Sequence, residues 1–266
     1  SVTNDAQLLA GSKGQGNAGN INIIARDRVV FSGSGAAFSS VEETGKGEGG
    51  SINITTNSLA LTNKAQLFTG IRGQGKAGNI VVNASSSVSL DGLSSGLFSR
   101  LEETGKGEGG SININTRSLS VTNDAQLNTS TRGQGNAGNI TINARDRIWF
   151  SSNGAAFSFV AQTAMGDAGD ININTNSLSL TNGAALIAST LGQGSAGDLI
   201  VNARDTVSFD RGSTALSSVG STAKGNGGSI RITTGELSVT NGAQLFASTR
   251  GQGNAGSVTI DARRVS

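Results

Sequence analysis

The sequence predicts an all-β fold: a right-handed parallel β-helix (β-solenoid) with three short strands per coil and about nine coils, each of roughly 28–32 residues. Two observations predict this fold. A glycine-led motif recurs nine times at nearly constant intervals. Within each copy, apolar and mostly polar residues alternate, as they do in a half-buried strand. Glycine supplies 40 of the 266 residues and proline none, so the chain is neither collagen-like nor a proline-rich disordered tract.

The recurring motif consists of Gly, then Asn, Ser or Asp, then two apolar residues separated by one position, and finally Ala or Thr two residues later. The intervals between successive copies are 31, 28, 32, 28, 31, 28, 31 and 28, so two unlike units alternate. The first apolar residues of the nine copies are Ile21, Ile52, Ile80, Ile112, Ile140, Ile171, Leu199, Ile230 and Val258.

The first strand of each unit begins at this apolar residue. Two residues further on, every copy has a β-branched residue, and four residues further on Ala and Thr alternate from unit to unit. β-Branched side chains pack well on one face of a strand whose side chains alternate. We therefore expect these columns to form ladders inside a tube.

Two further apolar segments in each unit predict the second and third strands. In the short units they are Leu59/Leu61, Leu119/Val121, Leu178/Leu180 and Leu237/Val239, then Ala65/Leu67, Ala125/Leu127, Ala184/Leu186 and Ala243/Leu245. In the long units they are Val29/Phe31, Val88/Leu90, Ile148/Phe150 and Val207/Phe209, then Phe38, Phe98, Phe157 and Leu216. We expect these columns to line the interior as well.

An unbroken glycine column lies two residues before the first strand, from Gly19 to Gly256. Its recurrence at a corner predicts either a positive φ or a close approach between coils that a Cβ would block. GxGxxG-like strings arise here by repetition. No helical segment follows them, so they do not indicate a dinucleotide site.

A Thr-Asn pair separates the second and third segments of the short units. Asn side chains satisfy backbone groups at bends, so we favour a buried capping role over ligand binding. The residues concerned are Asn4, Asn63, Asn123, Asn182 and Asn241.

Stacking explains how such small units bury their apolar side chains. A single three-stranded unit cannot do so alone, whereas stacked copies form backbone hydrogen bonds with the units above and below. Parallel β connections are overwhelmingly right-handed, which predicts the hand of the solenoid. We expect one domain over residues 1–266, uncapped at both ends, that forms a segment of a longer fibre.

Composition argues against most enzyme classes. The chain has no Cys and no His, so it lacks a thiolate nucleophile, the commonest metal ligand and the usual general base. Lys and Arg total 20 against 18 Asp and Glu, and they are scattered rather than gathered in a basic patch for nucleic acid. We expect no catalytic residue, no cofactor and no membrane span.

Acidic residues are the remaining candidates for chemistry. Asp27, Asp146 and Asp205 recur about two coils, or ~10 Å, apart, which is too far for a retaining glycosidase pair and marginal for an inverting one. The calcium-binding nonapeptide does not occur in tandem, so solvated corners are the better interpretation, while calcium binding stays open. The corner residues concerned are Glu42, Glu43, Glu48, Glu102, Glu103, Glu108, Asp167 and Asp170.

Strand alternation also points a set of large apolar side chains outward. Single exposed apolar residues are common, but a stripe along one face of a rod suits lateral docking. The candidate contact residues are Leu9, Phe68, Trp149, Ile187 and Phe246, and Asn128 interrupts their line. Thr129 and Thr131 suggest an ice-binding array, but Thr-x-Thr occurs in one unit only, so we do not favour it.

The phrases GQGNAGNINI, SLxVTNxAQL and GNAGNITINARDR resemble the repeat region of cyanobacterial filamentous-haemagglutinin-type exoproteins, the secreted partners of two-partner secretion systems. The resemblance covers the whole chain, although the family's N-terminal secretion domain is not part of it. It implies a right-handed parallel β-helix, export through an outer-membrane secretion partner, and a role in adhesion or the extracellular matrix.

We therefore expect a structural, secreted rod, located outside the cell or on its surface, for adhesion, fibre or matrix formation. Its expected partners are cell-surface or matrix polysaccharide, or other copies of itself. Two alternatives stay open: a carbohydrate-active β-helix (a polysaccharide lyase or hydrolase) and a self-polymerising fibre subunit.

Overall fold

A computed structural model describes residues 1–266 as an all-β chain without a helix. No segment therefore forms a helix of the length and apolarity needed to cross a membrane. The largest sheet, called the long sheet, has eleven strands. They are β1 (Val2–Thr3), β3 (Ile21–Ile24), β4 (Arg28–Ser32), β6 (Ile52–Thr62), β9 (Ile80–Asp91), β12 (Ile112–Thr122), β14 (Ile140–Ser151), β16 (Ile171–Thr181), β18 (Leu199–Phe209), β20 (Ile230–Val239) and β22 (Val258–Val265).

A second sheet, called the short sheet, has nine strands. They are β2 (Gln7–Leu9), β5 (Ala36–Val41), β7 (Gln66–Ile71), β10 (Gly96–Leu101), β13 (Gln126–Asn128), β15 (Ala155–Phe157), β17 (Ala185–Ile187), β19 (Thr214–Leu216) and β21 (Gln244–Phe246). β8 (Gln74–Lys76) pairs with β11 (Lys106–Glu108), and isolated bridges continue that ladder from Gln15 to Gln252.

Every strand pairs in parallel with the equivalent strand of the next coil, which confirms the predicted solenoid. Ile52 of β6, for example, lies opposite Ile80 of β9, which in turn lies opposite Ile112 of β12. The same register holds along the chain, so the strands and the glycine-rich corners stack in about nine coils. At ~4.8 Å per coil, these coils form a rod roughly 43 Å long.

From β6 to β20, the first two predicted segments of each unit form one long strand with a bulge between them, whereas in the first unit they are the separate strands β3 and β4. In β12 one residue, Arg117, lies between the paired positions Thr116 and Ser118, whereas the partner strand β9 has two, Ser85 and Ser86. The long units carry this extra residue at the bulge and two more at the glycine-rich corner. These three insertions turn 28 into 31, and the unit that begins at Ile80 has a fourth, in the turn between Leu90 and Leu97, which gives 32.

The main core is a column of 44 buried residues that runs the length of the rod, and a second cluster of four buried residues lies apart from it: Val41, Ile71, Ala77 and Leu101. The predicted Ile ladders lie inside the main core; Ile112, Ile114, Ile140 and Ile142 are fully buried.

Side-chain volume is balanced within coils by residues on the two sheets. Phe31, Phe150 and Phe209 share their coils with the small residues Ala37, Ala156 and Ala215, whereas Leu61 shares its coil with Leu67. This exchange of volume keeps the interior close-packed in both kinds of unit. The expectation that the third segment of the long units points its large residue inward is wrong. In each of these units the preceding small or aliphatic residue fills the interior, so the outer face of the short sheet carries Phe38, Phe98, Phe157 and Leu216.

The sequence left open whether the corner glycines provide a positive φ or a close approach between coils. Two different glycine columns have these two roles. The column from Gly19 to Gly256 does not have a positive φ; a Cβ on Gly78 would overlap the carbonyl oxygen of Gly50, one coil below. The other column, from Gly16 to Gly253, has φ between 133° and 154° at every corner. Both columns therefore require glycine, one for close approach between coils and one for backbone conformation.

Buried hydroxyl groups satisfy the carbonyl oxygens of the first glycine column. Thr129 Oγ1 donates to Gly138 O at 2.6 Å, and Ser158 Oγ donates to the same oxygen at 2.9 Å. Thr129 and Thr131 are both fully buried, so they do not form a surface array of threonines. Polar groups inside the rod are thus mostly paired, as burial requires.

The predicted burial of the bend asparagines is wrong. Asn63, Asn123 and the other members of the set are exposed and have φ of 50–55°. Asn is one of the few residues with a side chain that tolerates this left-handed conformation. The structural role itself is present: Asn123 donates to Asp91 at 2.8 Å and Asn241 donates to Asp210, one coil below. The hydrogen bond from Asn241 is the main reason that the pKa of Asp210 is lowered.

Replacing Ile142 by Asp tests the inward ladder. The carboxylate would lie between fully buried Ile114 and Ile173 without a partner, so we expect Ile142→Asp to lower the free energy of unfolding by more than ~3 kcal/mol. Chemical denaturation followed by circular dichroism measures this change. Thr141→Asp, on the outer side of the same strand, should cost less than about 1 kcal/mol. Equal stability of parent and Ile142→Asp would contradict inward placement.

Replacing Gly138 by Ala tests the close approach between coils. The added methyl group would overlap Gly110 O, so we expect a loss of about 1–3 kcal/mol in unfolding free energy. Gly14→Ala is the matched control, because nothing lies within 4 Å of its Cβ position and its φ is not positive. The same change in stability at both positions would show that contact between coils does not set the effect of Gly138→Ala.

Candidate functional site

The outer face of the short sheet carries a column of large side chains, here called the outer stripe. Consecutive strands pair in register at this position, so each coil adds one side chain directly above the last. Its members are Leu9, Phe38, Phe68, Phe98, Asn128, Phe157, Ile187, Leu216 and Phe246. Eight of the nine coils thus supply an apolar residue, and Asn128 divides the stripe near its middle.

The five predicted contact residues fall into two places. Leu9, Phe68, Ile187 and Phe246 all lie in the outer stripe, whereas Trp149 lies on the long sheet between Ser120 and Ser179. Leu9 is 69% exposed, Trp149 46% and Phe246 39%, and Ile187 is half-buried. Phe68 is only 7% exposed, because neighbouring residues cover its ring.

Arg100 is the residue that covers the aromatic rings in the N-terminal half of the stripe. Its guanidinium carbon lies 5.5 Å from the centroid of Phe68 and 5.0 Å from that of Phe98, which is cation–π geometry. Phe38 packs against Phe68 with a centroid separation of 5.9 Å. The aromatic side chains here are therefore largely engaged within the rod.

Charges of alternating sign run beside this half of the stripe. Bridges between Ser12 and Val41, and between Leu101 and Thr131, place the residues that follow them in one column. Its members are Lys13, Glu42, Arg72, Glu102 and Arg132. Arg72 pairs with Glu42 at 2.9 Å, and Glu102 lies 4.0 Å from Arg132. Each carboxylate thus has cations on the coils around it.

Glu102 also holds the Arg100 guanidinium, at 3.0 Å, with both side chains mostly buried. Burial lowers the pKa of Arg100, the negative charge of Glu102 opposes that shift, and the positive charges of Arg132 and Arg72 add to it. Arg100 Nε is buried without a hydrogen-bond partner. The position of the Arg100 side chain therefore depends strongly on Glu102.

The C-terminal half of the face is apolar. Beyond Arg132, the column of alternating charges continues as Ala161, Leu191 and Gly220. A groove of about 500 Å³ runs beside it, and Arg250 is the one charged residue in its wall. Its apolar wall is formed by Phe157, Phe159, Ile187, Leu191, Leu216, Val219 and Phe246. This region is called the apolar groove.

The members of the outer stripe that the long units supply were expected inside the rod and not on its surface. The sizes of the residues in the second and third segments of one coil could have indicated this. A small inward Ala occurs in the same coil as each of Phe31, Phe150 and Phe209. A large residue on one sheet leaves room for only a small one opposite it. That volume balance would have assigned Ala37 to the interior and Phe38 to the surface.

The carboxylates considered for catalysis or calcium lie in other arrangements. Asp146 lies 3.8 Å from Arg117 and Asp205 lies 3.5 Å from Arg204. Glu108 lies 3.4 Å from Lys76 at the glycine-rich corner. No group of three acidic side chains converges anywhere on the rod in a way that could hold a metal ion.

Comparison with family models, with curated proteins and with solved structures finds no match to this chain. A proposal for the function of the chain therefore rests on the geometry of the rod. The relevant features are its regular stacking, the charged and apolar halves of the short sheet, and the channels on its surface.

Replacing Glu102 by Gln tests the charge arrangement. The substitution leaves Arg100 mostly buried without its counter-charge, so we expect a loss of about 1–3 kcal/mol in unfolding free energy. Glu103→Gln, at the exposed neighbouring position, should change it by less than about 0.5 kcal/mol. Denaturant titration of the two variants measures the difference. If Glu102→Gln is as stable as Glu103→Gln, Glu102 does not stabilise Arg100.

Proposed function

We propose that the chain is a structural rod within a secreted surface protein, where it serves adhesion, fibre or matrix formation. Its fold supports this proposal, because parallel coils hydrogen-bond along the whole length. The length of the units is also nearly constant, at roughly 28–32 residues, with no long loop to build a catalytic cleft. The resemblance to filamentous-haemagglutinin-type repeats supports export through an outer-membrane partner.

The apolar groove is the surface that we propose for lateral contact between rods. Isolated exposed apolar residues need no function, but here several of them share one groove of about 500 Å³. A second copy of the rod would present the same repeating profile along a parallel or antiparallel axis. Contact of this kind would bundle rods side by side, which is the arrangement that a fibre or matrix requires.

The double variant Ile187→Ser/Phe246→Ser tests this contact. It removes two apolar side chains from the groove while leaving the inward residues Leu186 and Leu245 in place. We expect the rod to remain folded and side-by-side bundling, seen by negative-stain electron microscopy, to fall several-fold. Trp149→Ser removes an exposed apolar residue outside the groove and should leave bundling unchanged.

Two results would count against the proposal. Equal bundling of the double variant and the parent would exclude the groove as the contact surface. Rapid degradation of a polysaccharide by the purified chain would favour the carbohydrate-active alternative over a structural rod.

A further inference from the structure

The long sheet carries a second surface feature, a polar channel whose lining residues are separate from the short sheet and its outer stripe. It forms where the long strands bend at their bulge, has a volume of about 680 Å³ and spans five successive coils, from β6 to β16. Its floor is the alternating Thr and Ala column, from Thr56 to Thr175. We propose that this channel binds a linear, uncharged polysaccharide that lies along the rod axis.

One wall of the channel is a ladder of asparagine amides. Asn115 Nδ2 donates to Asn83 Oδ1 at 2.9 Å, Asn143 donates to Asn115 at 3.0 Å, and Asn174 donates to Asn143 at 2.9 Å. All four side chains are exposed. An amide has two N–H donors and two acceptor lone pairs, so each residue inside the ladder keeps one donor and one acceptor free to face a ligand.

This arrangement repeats a donor and an acceptor every ~4.8 Å along a straight line. An extended β-1,4-linked glycan presents hydroxyl groups at a similar repeat, so successive sugars can meet successive coils. The amides are already held in place by one another, and binding therefore costs less side-chain entropy than it would at free surface residues. The ladder is thus organised for a polymer that repeats along its length.

The charge of the channel selects among polymers. Arg145 is the one charged residue in its lining, and the two hydrophobic lining residues are both Ala. A nucleic acid or a polyanionic glycan needs several cations to offset its charge, and an apolar peptide needs a hydrophobic wall. No carboxylate lies in the lining, so we expect binding without cleavage. This inference depends neither on the apolar groove nor on secretion.

Isothermal titration of the full chain with hexasaccharides tests the channel. The probes are β-1,4-linked hexamers of glucose, mannose and xylose, with β-1,4-linked hexamannuronate as the charged comparison. We expect at least one neutral hexamer to bind the parent chain and hexamannuronate to bind more weakly. In the variant Asn115→Ala/Asn174→Ala, which breaks the ladder on both sides of Asn143, affinity should fall by about tenfold or more.

The matched control is Asn113→Ala/Asn172→Ala, which removes the same two amides from the same strands, β12 and β16, outside the channel. Its affinity should stay within about twofold of the parent, with all three chains showing the same circular dichroism. The inference is overturned if no neutral hexamer binds, if the ladder variant binds as the parent does, or if both double variants lose binding equally. It is also overturned if hexamannuronate binds as tightly as the neutral sugars.

Discussion

The contact on which the structure depends is the one between glycines of consecutive coils. Gly50 lies against the carbonyl oxygen of Gly19, and Gly78 lies against that of Gly50, with no room for a Cβ at either place. So close an approach is possible only if each coil ends where the last one did. Once this corner is in register, the long strand, the bulge and the short strand fall into register as well, and the apolar side chains become continuous ladders.

Because of the same constraint, the interior of the rod keeps a nearly constant volume per coil, whereas its outer faces vary. Inside, every coil must fill nearly the same volume, so substitutions are compensated within the coil, as with Phe150 and Ala156. Outside, the stacked columns are free to differ along the axis. The short sheet uses this freedom to pass from alternating charges around Arg100 to an apolar groove beyond Asn128, while the long sheet keeps its polar channel.

Much of the fold follows from the sequence because the Ile column alternates with polar residues and because the motif repeats at a nearly fixed interval. Alternation did not predict the inward residue at the third strand of the long units. In residues 36–39, for example, Ala-Ala-Phe-Ser offers no clear inward residue until Phe31 is considered with it. The prediction failed again at Asn63, since residue type alone does not distinguish a buried cap from an exposed left-handed turn. The surface was harder still: Arg100 meets Phe68, one coil away, only because coils of unequal length stack in register.

The alternation of long and short units also governs how such a protein can change in length. Up to β20, each strand with one residue at the bulge pairs with strands that have two, and its Thr hydroxyl bonds to its own strand across the bend, as Thr116 does with Ser118 O. β22 pairs with β20 with one residue on each side, but it keeps Ala262 opposite Thr234. Loss of a single unit by recombination would place Thr next to Thr or Ala next to Ala in this column, whereas loss of one long and one short unit together rejoins unlike neighbours. Growth and shrinkage of the rod over evolutionary time should therefore proceed in steps of two coils.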